Sequence, residues 1–286
     1  KRDWSSDVCS SDLITRVWNG YFSTQFHSEF NWEDGVVPRA GDSILIPPPT
    51  AISSPPWLNF SDGFPLHRIT FTGGGIELSG GAVHLSDGLV QQAPAGSEPN
   101  VVSCGLHSSP LAPARTVRIH LQSGGPLSVS GASGFELPQN TDVLELVNDQ
   151  PASLILQQKT GPGAGFIRKK GTGPAVLNAI NNHSGGVRVE AGSLELHHTS
   201  SAGSGTVLVE SAGTLSAGQP GVSFLVFSNK LRLSGKLQTT PGAGSQLWDG
   251  DIECVGGTAE ISGAGGGFSL SGAITGGGGF RFTGPY

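Results

Sequence analysis

Short apolar runs, separated by glycine and polar residues, recur along most of this chain. Residues 68–71 (RITF), 76–79 (IELS) and 82–85 (AVHL) alternate apolar and polar positions, and short glycine- or serine-containing turns divide them. This period-two alternation predicts strands with one buried and one exposed face. Because each run holds only about four residues, the pattern suits the sides of a stacked solenoid coil better than a β-sandwich.

The same pattern returns with loose spacing in the second half of the chain. It is found at residues 192–196 (GSLEL), 205–209 (GTVLV), 213–216 (GTLS), 230–234 (KLRLS) and 257–262 (GTAEIS). We therefore predict an all-β solenoid with almost no helix, whose repeat region spans residues 67–286.

Residues 14–66 are predicted to form a capping or lead-in region, because a stack of strands needs a cover over its terminal rung. Residues 36–42 predict a turn, flanked by Asp34 and Asp42 as turn residues, and residues 43–46 (SILI) predict a strand. The side chains expected to cover the open end are Trp18, Phe22, Phe26, Phe30 and Trp32.

Residues 91–113 predict an irregular loop that leaves the coil. Prolines oppose strands in the interior of a sheet, and loops of this kind often carry interaction sites. The prolines concerned are Pro94, Pro99, Pro110 and Pro113.

The two ends of the chain are interpreted as the ends of an assembled DNA read. Residues 3–13 (DWSSDVCSSDL) resemble the translation of a common sequencing adapter, the alternative being a natural Ser/Asp-rich lead-in. We therefore treat residues 1–13 as an artefact, together with Trp4 and Cys9. No methionine is present, and the chain stops within a repeat-like phrase, so we expect a truncated fragment without its true termini.

Residues 170–196 resemble the autotransporter-associated β-strand repeat, in which K-x-G-x-G-x-L-x-L is followed by N-T-Y-x-G-G and T-x-V-x-x-G-x-L-x-L. The matching segments here are 170–173 (KGTG), 176–178 (VLN), 181–186 (NNHSGG), 187–189 (VRV) and 191–196 (AGSLEL). Ala175 and the pair His183 and Ser184 depart from the usual residues, so this copy is degenerate. The lead-in WNG…NWEDGVVPRAGD and residues 272–280 are also similar to the surroundings of such repeats.

The resemblance implies a right-handed parallel β-helix, export, and a place on the outer-membrane surface or outside the cell. It implies a structural passenger element rather than an active site. In the motif, Gly185 and Gly186 allow positive φ at a corner, and Asn181 and Asn182 tolerate the left-handed conformation and can hydrogen-bond locally.

Composition narrows the functional classes. The chain has 45 glycines, 19 prolines and only 13% charged residues, too few charges for a solvated disordered tail. A net charge of -6 with scattered Lys and Arg argues against nucleic acid as a partner. No apolar stretch predicts a transmembrane helix. Cys104 and Cys254 have no metal-ligand spacing, and we predict two isolated, buried thiols rather than a disulfide.

Few residues are candidates for a catalytic or binding role. Asp249 and Asp251 could meet a cation or act as an acid–base pair on a glycan, with Trp248 as a sugar-stacking surface, but a solvated turn is the simpler interpretation. His197 and His198 point apart on an extended backbone and are interpreted as surface imidazoles. Because no nucleophile elbow, zinc-protease or phosphate-loop motif occurs, we predict no catalytic, cofactor or metal site and no enzyme activity.

The sequence thus favours a non-catalytic structural or adhesive passenger region of an exported bacterial surface protein, with surface glycans or proteins as partners. Two alternatives stay open. One is a β-helix polysaccharide-degrading enzyme, and the other is a glycan-binding phage tail fibre.

Overall fold

The chain forms a parallel β-solenoid of about 10 turns, with 52% of residues in strands and 2% in helix, which confirms the all-β prediction. The computed structural model describes residues 14–49, 57–58, 63–108, 115–131, 134–263 and 266–283. The predicted adapter segment 1–13 lies outside these residues, as do Pro110, Pro113 and residues 284–286. The right hand of the coil and the capping role of residues 14–66 stay predictions.

The described chain contains twenty-five strands and one short 3₁₀ helix, Glu29–Asn31. The first strands are β1 Thr15–Val17, β2 Ser43–Ile46, β3 Trp57–Leu58, β4 Phe64–Phe71, β5 Glu77–Gly80, β6 Val83–Gln92, β7 Asn100–Val102, β8 Leu106–Ser108, β9 Thr116–Ser123, β10 Leu127–Val129, β11 Val143–Asn148, β12 Leu154–Leu156 and β13 Phe166–Lys170. The remainder are β14 Pro174–Leu177, β15 Val187–Leu196, β16 Val207–Ala217, β17 Phe224–Phe227, β18 Leu231–Leu233, β19 Lys236–Thr239, β20 Ser245–Trp248, β21 Ile252–Cys254, β22 Thr258–Ser262, β23 Phe268–Leu270, β24 Ile274–Gly276 and β25 Gly279–Thr283.

Every pairing between these strands is parallel, and each coil visits three faces in the same order. The first face contains β2, β9, β11, β13, β18 and β21 with the parts of β4, β6, β15 and β16 that pair with them. The second face contains β7, β10, β12, β14, β19 and β22 in the same manner. The third face has the pairing of β6 with β8, single bridges in the middle, and a separate sheet of β17, β20 and β23.

The core is a set of columns in which each inward side chain stacks on its equivalent one coil away. Parallel strands with a fixed register place like positions directly above one another, so a buried aliphatic residue contacts two others of its kind. One such column on the first face is, in register, Ile44, Ile69, Leu89, Ile119, Leu146, Lys169, Val189, Val209, Leu233 and Cys254. All of these side chains are buried.

Coil length varies while the register of the core columns is kept. Leu89 pairs with Ile119, whereas Val189 pairs with Val209, a range on the order of 20 to 30 residues per coil. Among the described residues, the corner 93–99 between β6 and β7 supplies part of the extra length. Insertions there lengthen loops without disturbing the stacked strands.

The aromatic N-terminal region differs in part from its prediction. Trp18, Phe26 and Trp32 are buried, and their rings meet edge to face at centroid distances of 5.1 Å for Trp18–Trp32 and 5.0 Å for Phe26–Trp32. Phe22 and Phe30, expected to help cover the stack, are 70% and 61% exposed. They contact each other on the outside of the loop, because the buried Asn31 amide binds the Phe22 backbone N–H and turns this segment away from the core.

Two strands lie within residues 91–113, where the sequence predicts an irregular loop. Strand β7 pairs with β5 and β10, and strand β8 pairs with β6. The described prolines of this segment fall outside both strands: Pro94 is in the preceding corner and Pro99 immediately precedes β7. A proline at the end of a strand removes no hydrogen bond between strands. The density of prolines alone therefore predicted more irregular structure than this segment has. Both cysteines outside the adapter segment are free and buried, as predicted.

The repeat-like segment 170–196 and the residue before it, Lys169, bury polar side chains that hydrogen-bond to corner backbone. Lys169 lies in the aliphatic column of the first face with no exposed surface, and its ammonium donates to the carbonyls of Lys170, Gly171 and Ala191 at 2.6, 2.8 and 3.2 Å. Burial lowers the pKa of Lys169 to about 8. Its neighbour Lys170, where the repeat resemblance begins, points outward instead to Glu145.

His183, which departs from the repeat pattern, fits this site as a neutral imidazole. Its Nε2 donates to the Gly186 carbonyl at 3.0 Å and its Nδ1 accepts from the Thr160 hydroxyl at 2.7 Å. Burial lowers its pKa to about 4. Gly186 has φ +82, as predicted for this corner, whereas Gly185 does not have positive φ; a Cβ added to Gly186 would lie 2.0 Å from the Thr206 carbonyl oxygen.

Asn181 of the motif bonds through its side chain rather than through left-handed backbone. No described non-glycine residue has positive φ. The Asn181 amide instead accepts from the Thr160 N–H at 2.8 Å and donates to the Ser201 carbonyl at 2.6 Å. Asn181 therefore joins three coils through bonds to residues 20 and 21 positions away, rather than through the local hydrogen bonds that the sequence predicts.

Removing one stacked leucine should destabilise the solenoid markedly. Leu215 is fully buried between Leu194 and Leu237, so Leu215→Ala should lower the free energy of unfolding by about 2 to 5 kcal/mol, measured by urea denaturation. The control is Leu208→Ala at a half-buried outward position, where we expect a loss below about 1 kcal/mol. Equal losses for both variants would contradict the stacked-column description.

Acidification should destabilise the fold through His183. Its pKa is about 4 in the folded chain against 6.5 for the ordinary imidazole, so the folded state binds fewer protons than the unfolded state between these values. The contribution is complete above pH 6.5 and is lost as pH falls towards 4, by about 3 kcal/mol. The measurement is the unfolding free energy between pH 7 and 4. In His183→Gln that part of the pH dependence should vanish, and an unchanged slope would refute the assignment.

Candidate functional site

An ordered column of charged side chains runs along the outside of the first face. Successive coils present, in register, Arg68, Gly88, Arg118, Glu145, Arg168, Arg188, Leu208, Arg232, Glu253 and Thr275. We call Arg68, Arg118, Arg168, Arg188 and Arg232 the arginine column. These residues alternate with inward aliphatic positions on short strands, so strand geometry forces them onto the solvent side.

Glu145 is the electrostatic centre of this column. Its side chain is only 3% exposed, and it pairs with Arg118 Nε at 2.8 Å, Lys170 Nζ at 2.7 Å and Arg168 at 3.5 Å. Burial disfavours its charge, but hydrogen bonds from Lys170 and Arg118 outweigh burial and lower the pKa of the Glu145 carboxyl. One buried carboxylate thus orients three partly exposed cations.

Two shallow depressions adjoin each other over Arg118 and His120. One, of about 190 Å³, is lined by Arg68, Gln92, Arg118, His120 and Gln122 with Asp87, Gly88 and Val90. The next, of about 210 Å³, is lined by Arg118, His120, Glu145, Val147 and Lys170. We call the two together the first-face groove. Guanidinium, amide and imidazole groups line it, and these groups donate hydrogen bonds to hydroxyl, carboxylate and sulfate oxygens.

Acidic partners also occupy the groove and its edges. Asp87 pairs with Arg68, and His120 Nε2 lies 2.9 Å from Asp149 Oδ2. Beyond Glu145, Arg188 Nε donates to Glu210 at 2.7 Å and lies 3.3 Å from Glu190. The surface therefore carries both signs of charge and is a fixed polar array rather than a strongly cationic one.

The candidate site around Trp248 does not form a sugar-binding surface. Trp248 is fully buried, stacks on Phe227 at 5.5 Å between ring centroids, and donates its indole N–H to the Asn229 carbonyl. The alternative of a sugar-stacking Trp248 is therefore wrong, because the ring belongs to the core of the third face. Asp249 and Asp251 are exposed in the turn between β20 and β21, which confirms the solvated-turn interpretation.

The remaining candidates are placed in local contacts. His197 Nε2 lies 2.9 Å from Glu195, and His198 Nδ1 accepts the Ser200 N–H at 3.1 Å. Asp34 accepts the Val36 N–H within its turn and pairs with Arg16. Asp42 accepts the Arg39 N–H at 2.9 Å.

Among the described residues, no group of three or more His, Cys, Asp or Glu is arranged to hold a metal ion. In the same part of the chain, no helix is long and apolar enough to span a bilayer.

Comparison with protein-family models, with curated proteins and with solved structures finds no match. The fold and the first-face groove are therefore the observations on which a function can be based.

The arginine column was missed by sequence reasoning, which described Lys and Arg as scattered. They are scattered along the chain, but the coil brings every arginine of the column to one face. A signal was present: Arg68, Arg118, Arg188 and Arg232 each occupy a polar position beside buried Val, Ile or Leu in a short strand. The alternation within one strand shows which side chains point outward, but predicting a column also requires the register between coils. Loose repeat spacing hides that register in the sequence.

Removing the charge of Glu145 should loosen this face. In Glu145→Gln, three cations lose their shared carboxylate while keeping solvent access, so we expect a loss of about 1 to 3 kcal/mol at pH 7. Because the folded pKa is lowered, the difference from the native chain should shrink as pH falls through that pKa. Chemical denaturation at pH 7 and at acid pH tests this. Glu77→Gln, on the edge of the second face, is the control and should change stability by less than about 0.5 kcal/mol.

Proposed function

We propose that this chain is a non-catalytic structural and adhesive passenger region of an exported bacterial surface protein. The parallel β-solenoid supports the structural part, because stacked coils form a continuous hydrogen-bonded framework. The resemblance of residues 170–196 to the autotransporter-associated repeat supports export and display at the outer-membrane surface or outside the cell. The role is to hold outward side chains and corner loops in fixed positions.

The observation that carries the adhesive part is the first-face groove. Its donors are held by strand backbone and by ion pairs, so little side-chain freedom is lost when a ligand binds. Arg118 is fixed by Glu145, and Gln92 donates to the Gln122 side chain at 2.9 Å. A polysaccharide offers repeated hydroxyl and acidic groups along an extended chain, which matches a line of donors on successive coils.

One specific observation favours a second function, a β-helix polysaccharide-degrading enzyme. His120 and Asp149 form a close pair beside the cations Arg118 and Lys170 in the same depression. An imidazole near cations that stabilise a carboxylate could abstract a proton from an acidic sugar. We rank it second because the side chain of Asp149, the partner of His120, is 48% exposed and so leaves the imidazole weakly oriented.

The test is binding and cleavage by the full chain on a panel of neutral and acidic polysaccharides. We expect retention on at least one polysaccharide, with no new reducing ends and no unsaturated products. Arg118→Gln should weaken that binding about tenfold or more, since it removes a bidentate donor. The control is Arg281→Gln on the exposed last strand of the second face, which makes the same charge change outside the groove.

Each result decides between the readings. Release of cleavage products that His120→Ala abolishes would replace the adhesive function with the enzymatic one. Absence of binding to every polysaccharide, or equal weakening by Arg118→Gln and Arg281→Gln, would overturn the role of the groove.

A further inference from the structure

Strand β17 on the third face is the edge of its sheet, and one side of its backbone is open. It pairs with β20, and β20 pairs in turn with β23, so among the described strands β17 has a neighbour on one side only. An edge strand presents N–H and C=O groups that no other strand satisfies. Charged side chains or proline commonly protect such edges, and Phe224–Phe227 (FLVF) contains neither.

The bonds to β20 show which backbone groups of β17 lie on the open side. The Phe227 carbonyl accepts a hydrogen bond from the Asp249 N–H at 3.0 Å. Successive residues of a strand direct their backbone groups to opposite neighbours. Because Phe227 bonds toward β20, the N–H and C=O groups of Val226 and Phe224 point the other way. We call these groups the β17 edge.

A shorter neighbouring coil leaves space beside the β17 edge. Leu196 pairs with Ala217 on the second face, and Val207 pairs with Leu231 on the first face. Between these two pairs the lower coil has ten residues, 197–206, and the next coil has thirteen, 218–230. A depression of about 470 Å³ lies where the two coils differ. Thr199, Ser200 and Ser204 line it from the shorter coil, and Val226 and Ser228 line it from the longer one.

The depression matches the backbone of an extended peptide better than a sugar. The edge offers N–H donors and C=O acceptors in alternation, which is the pattern that an extended chain presents in return. The hydroxyl groups opposite can both donate and accept. The described lining residues are uncharged, and none of them is an aromatic ring on which a sugar could stack. Phe224, 54% exposed on the same strand, offers an apolar contact to a peptide side chain.

We propose that the β17 edge and the depression beside it bind an extended, uncharged peptide segment of another protein by strand addition. Backbone hydrogen bonds to Phe224 and Val226 hold the peptide, and the hydroxyl residues of the shorter coil contact its side chains. This site is independent of the proposed polysaccharide binding and of the first-face groove. Arg118→Gln should therefore leave peptide binding unchanged, and a chain that binds no polysaccharide should still bind the peptide.

The test measures binding of the full chain to an array of end-blocked, uncharged peptides made of Ser, Thr, Val and Gly. Each peptide is paired with a copy in which proline interrupts the strand. We expect binding to unbroken peptides and none to the proline copies. Val226→Pro should weaken binding about tenfold or more, because it removes an N–H of the open edge and none of the bonds to β20. The matched control is Val226→Thr, which keeps that N–H and should stay within about twofold of the native chain.

Amide hydrogen exchange in the native chain decides the matter, should Val226→Pro fail to fold by circular dichroism. A bound peptide should slow exchange of the Phe224 and Val226 N–H groups about tenfold or more and leave Phe227, whose backbone faces β20, unchanged. Unchanged exchange at Phe224 and Val226, or no binding to any peptide, would overturn the proposal. So would binding of maltoheptaose that Phe224→Ala abolishes and Val226→Pro retains, since this surface would then recognise a neutral sugar.

Discussion

The register between successive coils is the constraint on which the rest of this structure depends. Parallel hydrogen bonding fixes each strand relative to the one below it, and a slip of one residue would turn the buried set outward. The core column from Ile44 to Cys254 and the outer column from Arg68 to Thr275 are two consequences of that register. Packing in the core thus determines which polar side chains meet on the surface.

Where paired strands are missing, buried side chains make the hydrogen bonds that strand backbone makes elsewhere. The middle of the third face, from residue 134 to residue 206, has single bridges but no paired strands. There Gln158 accepts the N–H and donates to the carbonyl of Leu106, as a neighbouring strand would, and Asn181 joins Thr160 to Ser201. Buried, hydrogen-bonded amides hold corners whose backbone groups would otherwise be unsatisfied.

The sequence predicts the strands well, but it does not predict which side chains align in columns between coils. Residues 43–46 form β2 as predicted, and the alternation in 68–71 and 192–196 places the buried residues correctly. Residues 86–88, which follow the predicted strand 82–85, continue β6 instead of ending it, because Gly88 packs directly against the Arg118 backbone and the strand bends there. Contacts between coils join residues far apart in sequence, so the arginine column could not be derived from local pattern.

Loose repeat spacing and a precise surface array are therefore compatible. Corner length varies freely because corners lie outside the hydrogen-bonded ladder, whereas each strand must re-enter in register to bury its aliphatic side chains. Glu145 is an example: Arg118, which is 27 residues upstream, and Arg168, which is 23 residues downstream, reach the same carboxylate. In a solenoid, a functional surface can consequently be assembled from coils whose sequences share little beyond the phase of their buried positions.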